Sequence, residues 1–152
     1  MIEWKKICCA VEFSEPSRIA MLQAAELTRR FEGELTLVHV HAPPQALSTD
    51  MLVTPQELGA MYVGELERSL ALWRNEAEHV SGRTVHAELL TGDPATEIVR
   101  FTREHGSDVL VMATHGRKGL KRLVLGSVAE SVIRGAACSV LVARRRDVEP
   151  AR

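Results

Sequence analysis

The stretch Asp108–Val128, DVLVMATHGRKGLKRLVLGSV, decides how the chain is read. It opens with Asp108–Ala113 (DVLVMA), a continuous apolar run of the kind that forms a strand covered on both faces. Gly116 and Gly119 follow, among Arg117, Lys118, Lys121 and Arg122. Gly126–Ser127 then precede a helical pattern over Val128–Ala136. A buried strand, a glycine loop and a helix make up half of a β-α-β unit, so the rest of the chain is searched for the same alternation.

Four more runs have strand character: Lys6–Val11 (KICCAV), Leu35–Val40 (LTLVHV), Thr84–Leu89 (TVHAEL) and Ser139–Ala143 (SVLVA). Between them apolar residues recur at helical spacing, as Ala20, Ala24, Leu27 and Phe31, then as Leu58, Tyr62, Leu66, Leu70, Trp73, Ala77 and Val80. A shorter pattern covers Ala95–His105. Ser14 is placed to cap the first helix with Pro16 in its first turn, and Asp93 the third with Pro94 at its first position. Ser127–Glu130 (SVAE) has the spacing of a capping box, and Gly33, Gly82, Gly106 and Gly135 stand where the helices should end.

The order β-α-β-α-β-α-β-α-β predicts an α/β fold. Its core is a single doubly wound five-stranded parallel sheet, order 3-2-1-4-5, with helices on both faces. Residues 1–146 make one domain and 147–152 a short polar tail. In this order the switch point lies between the first and fourth strands, and ligands of such sheets bind outside the carboxyl ends of the strands there. The glycine loop leaves the fourth strand at that end. The segment His41–Pro55 (HAPPQALSTDMLVTP) is long for a connection, which marks it as a candidate lid or binding loop.

Composition narrows the function. The formal net charge of −1 on 152 residues supplies no general attraction for nucleic acid or an anionic membrane. No apolar run approaches the ~20 residues of a membrane helix. The N-terminal MIEWKKICCAVEF lacks the layout of a signal peptide, so a cytoplasmic protein is expected. Cys8 and Cys9 are adjacent on one strand and point to opposite faces, and Cys138 stands alone, so free thiols are expected rather than a metal site.

Two readings of the loop stand at this level. A helix N-terminus presents free N–H groups and a positive dipole end, and glycine lets backbone approach phosphate oxygens, so Gly116 and Gly126–Ser127–Val128 would cradle a phosphate. Alternatively the glycines only make turns, and Ser127 only caps the last helix.

The segments ICCAVEFSEPSRIAMLQAAELTRRFEGELTLVHVHAP, GDPATEIVRFTREHGSDVLVMATHG and ATHGRKGLKRLVLGSVAESVIRGAACSVLVAR resemble the universal stress protein family over nearly the whole chain, with Gln45–Gly82 too variable to compare. The resemblance implies an adenine nucleotide alpha hydrolase-like fold, commonly a homodimer, in a family of nucleotide binders and non-binders. The binders share a motif: Gly, two residues, Gly, nine residues, Gly, then Ser or Thr. Here Gly116, Arg117–Leu125 and Gly126–Ser127 match, while the first glycine is Ala113. Glu12 stands where the binders carry aspartate after the first strand. The implied nucleotide site is Ala10, Val11, Glu12, Val40, Met112, Ala113, His115, Gly116, Arg117, Gly126, Ser127 and Val128. The implied ligand is ATP or another adenine nucleotide, with any Mg²⁺ carried on the phosphates. On this reading Gly126→Val should remove binding and spare the fold, and Ala113→Gly should tighten binding by relieving a crowded backbone. The alternative is a dimeric interaction protein of the same family that has lost the nucleotide.

Outside the motif, His39 and His41 alternate on the second strand and read as packing or a polar rim. Arg117, Lys118, Lys121 and Arg122 either neutralise phosphates or face solvent. No GxSxG, HExxH or GxxxxGK[ST] pattern occurs, so at most slow hydrolysis of a bound nucleotide is expected. Ser139–Ala143 would form an apolar sheet edge, which invites pairing with a second copy.

Overall fold

The computed structural model describes residues 1–42, 53–114 and 125–144. Its elements are β1 (Lys6–Ala10), α1 (Glu15–Phe31), β2 (Glu34–His41), α2 (Pro55–Ser81), β3 (Val85–Thr91), α3 (Pro94–Glu104), β4 (Val109–Ala113), α4 (Ser127–Gly135) and β5 (Ser139–Ala143). The five strands form one sheet in the order β3-β2-β1-β4-β5, with parallel pairing throughout, as the sequence predicts.

Strand alternation sorts the core into two layers. Ile7, Cys9, Leu35, Leu37, Val109 and Val111 face α1 and α2, where they meet Ala20, Met21, Ala24, Leu70 and Ala77. Cys8, Val38, Leu110 and Met112 face α3 and α4, where they meet Ile98, Phe101, Ala129 and Val132. Leu35, Leu37 and Leu110 are fully enclosed, and each such side chain stabilises the fold by roughly 1.5–3 kcal/mol. On the α3 side of β3, His86 and Glu88 are polar and exposed, and Leu90 packs against the α3 layer.

The adjacent thiols divide between the layers, as expected of neighbours on a strand. All three cysteines are free. Burial pushes the Cys8 and Cys9 thiols well above the ordinary range, and burial also raises that of the half-buried Cys138. A disulfide reagent such as DTNB is therefore expected to titrate Cys138 alone, and slowly, in the native protein, and three thiols after unfolding. Rapid native titration of all three would mean that the sheet interior opens.

The helix ends follow most of the expected punctuation. Ser14 and Asp93 cap α1 and α3 through side-chain bonds to the Ser17 and Thr96 N–H groups. The capping box expected at Ser127–Glu130 does not form. Gly126 is the cap residue of α4, without a side-chain bond, and Glu130 pairs with Arg134 instead. Gly33 lies one residue beyond the left-handed Glu32 that ends α1. Its requirement is steric, because a Cβ there would lie 2.7 Å from the Lys5 carbonyl oxygen.

Candidate functional site

The carboxyl ends of β1, β2 and β4 open into a cleft of about 340 Å³. β1 and the turn after it contribute Ala10, Val11 and Glu12; β2 contributes Val40; β4 contributes Met112 and Ala113; and α4 with its cap contributes Gly126, Ser127 and Val128. Nine of the twelve residues named from the sequence thus meet around one cavity. The other three, His115, Gly116 and Arg117, lie outside the described residues, as do Lys118, Lys121, Arg122 and most of His41–Pro55. The sequence reading missed Ser17, Val38, His39, Pro94, Ile98, Thr114 and Ala129, which also line the cleft. Only His39 carried a signal, its place near the carboxyl end of β2.

The cleft has an apolar body with polar groups at set points, a lining that suits a ligand with a flat apolar part and a polar end. Ala10, Val38, Val40, Ile98 and Met112 supply the apolar wall. Glu12 is the one carboxylate among the described lining residues. At the other end, helix geometry leaves the N–H groups of Ser127, Val128 and Ala129 without carbonyls of their own helix, and all three residues line the cleft. With no side-chain cap and the positive end of the dipole behind them, these groups suit an anion.

Gly126 has a structural reason of its own. Its N–H donates to the Thr114 carbonyl at 2.9 Å. This bond closes the base of the loop between β4 and α4. A Cβ on Gly126 would lie 2.7 Å from the same oxygen. The backbone angles are ordinary, φ −61° and ψ 153°, so glycine is required here for closeness and not for conformation.

Ala113 faces the α1 side, packed with the layer of Val109 and Val111, whereas α4 belongs to the other layer. Its methyl group is thus part of the core as well as of the cleft wall. Ala113→Gly is accordingly expected to lower the melting temperature by a few degrees, at about 1 kcal/mol. It should change ATP affinity less than threefold, and calorimetry showing a tenfold gain would restore the crowding expectation.

Glu12 turns back toward the helix cap. The Ser14 hydroxyl donates to its carboxylate at 2.8 Å, and the Glu12 N–H donates to the Ser17 hydroxyl at 3.2 Å. The next residue, Phe13, has φ 61°, a left-handed conformation costing a bulky residue about 1–3 kcal/mol. His39 stands across from this turn, its Nδ1 2.7 Å from the Val11 carbonyl oxygen. His41 is buried under α2, with Nε2 3.1 Å from the Thr91 hydroxyl and its ring against Tyr62. The two histidines share a face, and His41 is packing as expected, while His39 reaches the cleft. Among the described residues no group of His, Cys, Asp or Glu could hold a metal ion, and no helix is long and apolar enough to cross a membrane.

Fold and cleft together define a small doubly wound α/β protein with a cleft at its switch point. The profile of the universal stress protein family matches residues 3–144, and the chain belongs to that family. Universal stress protein MJ0531 of Methanocaldococcus jannaschii is 32% identical over 142 residues, which cover 93% of this chain and 83% of that protein. The structure of protein MJ0577 from the same organism superposes with a TM-score of 0.81 at 30% identity, covering 96% of this chain and 99% of that one. A universal stress protein from Archaeoglobus fulgidus, solved in complex with dAMP, has a TM-score of 0.69 at 21% identity, covering 94% and 100% of the two chains.

Proposed function

We propose that the cleft binds an adenine nucleotide, ATP or a close relative, and that its occupancy is what the protein reports as a cytoplasmic stress-response regulator. The phosphates would lie on the α4 N-terminus at Gly126, Ser127 and Val128, and the sequence motif adds His115, Gly116 and Arg117, which lie outside the described residues. The nucleoside would lie between Val40 and the Val11–Glu12 turn. The carrying observation is that nine residues named from sequence alone line one cleft, with the uncapped helix N-terminus at one end and a carboxylate in its wall. The dAMP complex of the Archaeoglobus fulgidus relative supports the same reading. Among the described lining residues only Glu12 is a carboxylate, so a Mg²⁺ ion would be carried by the phosphates.

Two copies would pair along β5, Ser139–Ala143. The sheet has two edges. β3 presents the exposed polar residues His86, Glu88 and Thr91, as a guarded edge would, whereas β5 presents Val140, Leu141 and Val142. Three free thiols agree with a reducing compartment.

The second reading is a dimeric interaction protein without nucleotide. The observation that favours it is a Glu12 carboxylate, in place of the binders' aspartate, already engaged by Ser14. Calorimetry of the purified protein with ATP, ADP, AMP and cyclic nucleotides, each with and without Mg²⁺, separates the two. Saturable one-to-one binding of at least one is expected. No binding heat and no thermal protection with any of them would leave the second reading.

A further inference from the structure

The turn that carries Glu12 into the cleft is tied by four hydrogen bonds, and its central residue is strained. β1 ends at Ala10 and α1 begins at Glu15. Between them the Val11 N–H donates to the Val38 carbonyl at 2.9 Å. The Glu12 N–H and carboxylate are held by the Ser17 and Ser14 hydroxyls. The Val11 carbonyl lies 2.7 Å from His39 Nδ1. A carbonyl only accepts, so Nδ1 carries the proton and the His39 tautomer is set.

Phe13 stands behind this arrangement. Its ring is 4.6 Å from the His39 ring at 43°, and 5.4 Å from the Trp73 ring at 89°, edge to face. A phenylalanine stays left-handed only where its surroundings over-determine it, and here rings from β2 and α2 do so. Val11, Glu12 and His39 line the cleft, and Phe13 does not.

We propose that Phe13 is a positioning residue for the cleft: wedged between Trp73 and His39 in the left-handed conformation, it fixes the Val11 carbonyl, the His39 tautomer and the Glu12 carboxylate on the wall, and so sets the affinity for the nucleoside part of a bound nucleotide. The role rests on the nucleotide reading above. The strain localises the turn to one geometry, because relaxing φ at residue 13 would swing Glu12 and Ser14 away from their partners and withdraw the ring that backs His39.

Two variants separate positioning from mere stability. Phe13→Gly removes the ring and adopts this φ without strain. Phe13→Ala removes the ring and keeps the strain. Phe13→Gly should therefore melt above Phe13→Ala, the reverse of the usual order, although both lose the wedge. Positioning makes both lose affinity together, whereas a purely structural residue would make affinity follow the melting temperature.

The experiment is calorimetry of the full chain with AMP and ATP, with melting by circular dichroism and ¹⁵N histidine NMR. Expected are a protected His39 Nδ1–H signal in the wild type, its loss in both variants, and AMP and ATP binding weakened by the same factor, roughly tenfold or more. Variants that bind AMP as the wild type does, or a Phe13→Gly protein alone recovering wild-type affinity, would overturn the role. A wild type that binds neither nucleotide overturns the nucleotide reading and this role with it. That outcome differs from a wild type that binds while the variants bind equally well.

Discussion

Val128→Glu is expected to weaken ATP binding by roughly tenfold or more while leaving the protein as stable as before or slightly more so. Val128 sits in the first turn of α4, lines the cleft and is 36% exposed, so among the described residues a longer side chain has room there. A carboxylate at a helix N-terminus favours the helix by about 0.3–1 kcal/mol. The same charge repels phosphate. Binding and stability therefore move in opposite directions, which no general damage to the fold would produce. Gly126→Val is the contrasting case. It too should abolish binding, but not while sparing the fold, as the sequence alone leads one to expect. The new Cβ would meet the Thr114 carbonyl oxygen at 2.7 Å. Overpacking against fixed backbone costs about 1–3 kcal/mol, or about 2–4 °C of melting temperature per kcal/mol at this size. Calorimetry and thermal melting of the two variants check both halves. If Val128→Glu binds ATP like the wild type, the phosphates do not lie on α4.

The sheet was legible because each strand announces itself locally. Two covered faces need continuous apolar runs, and helices in between need apolar residues at helical spacing, so order and layers follow from patterns a few residues long. Cap chemistry was legible at Ser14 and Asp93, where nothing tertiary competes. Thr54-Pro55-Gln56-Glu57, which the sequence reading leaves in the loop, forms a full capping box for α2. Ser127–Glu130 has the same spacing and forms none, because Gly126 is pinned to Thr114 and α4 already begins at Ser127. The bond deciding that case joins residues twelve apart in the chain, which no cap pattern registers.

The cleft was legible to the extent that it is built from strand ends. Ala10, Val40 and Met112 follow from the sheet order alone. Phe13 and His39 were not. Alternation places His39 and His41 on one face but cannot tell which meets the turn after β1 and which passes beneath α2. Nothing in Glu12-Phe13-Ser14 marks the phenylalanine as left-handed, since that conformation is imposed by Trp73, sixty residues away, and by His39. Strain of this kind arises from tertiary contacts and falls, as strain often does, beside a ligand cleft.

If two copies pair along β5 as proposed, proline substitutions there are expected to divide into one that prevents this pairing and one that damages the sheet. Successive N–H groups of a strand point alternately to its two sides. β5 pairs with β4 on one side, with Leu141 beside Val111 and Val142 beside Met112, and among the described residues no strand pairs with its other side. Of Leu141 and Val142, one N–H therefore serves β4 and the other faces the open edge. Proline is tolerated on an edge strand where its missing N–H would face outward, and it cannot donate to an incoming strand there. That variant should remain folded by circular dichroism and sediment as a monomer. The other loses a bond to β4, about 0.5–1.5 kcal/mol, and strains the strand besides, so it should melt lower. Leu141 also borders a shallow groove against α1, lined by Ile19, Leu22 and Leu27, which a second copy would cover in part. Measuring both prolines removes the ambiguity of Leu141→Pro alone, where lost fold and lost dimer look the same. If both proteins are folded and both remain dimers at low micromolar concentration, association does not run through β5, and the pairing of two sheets into one is excluded.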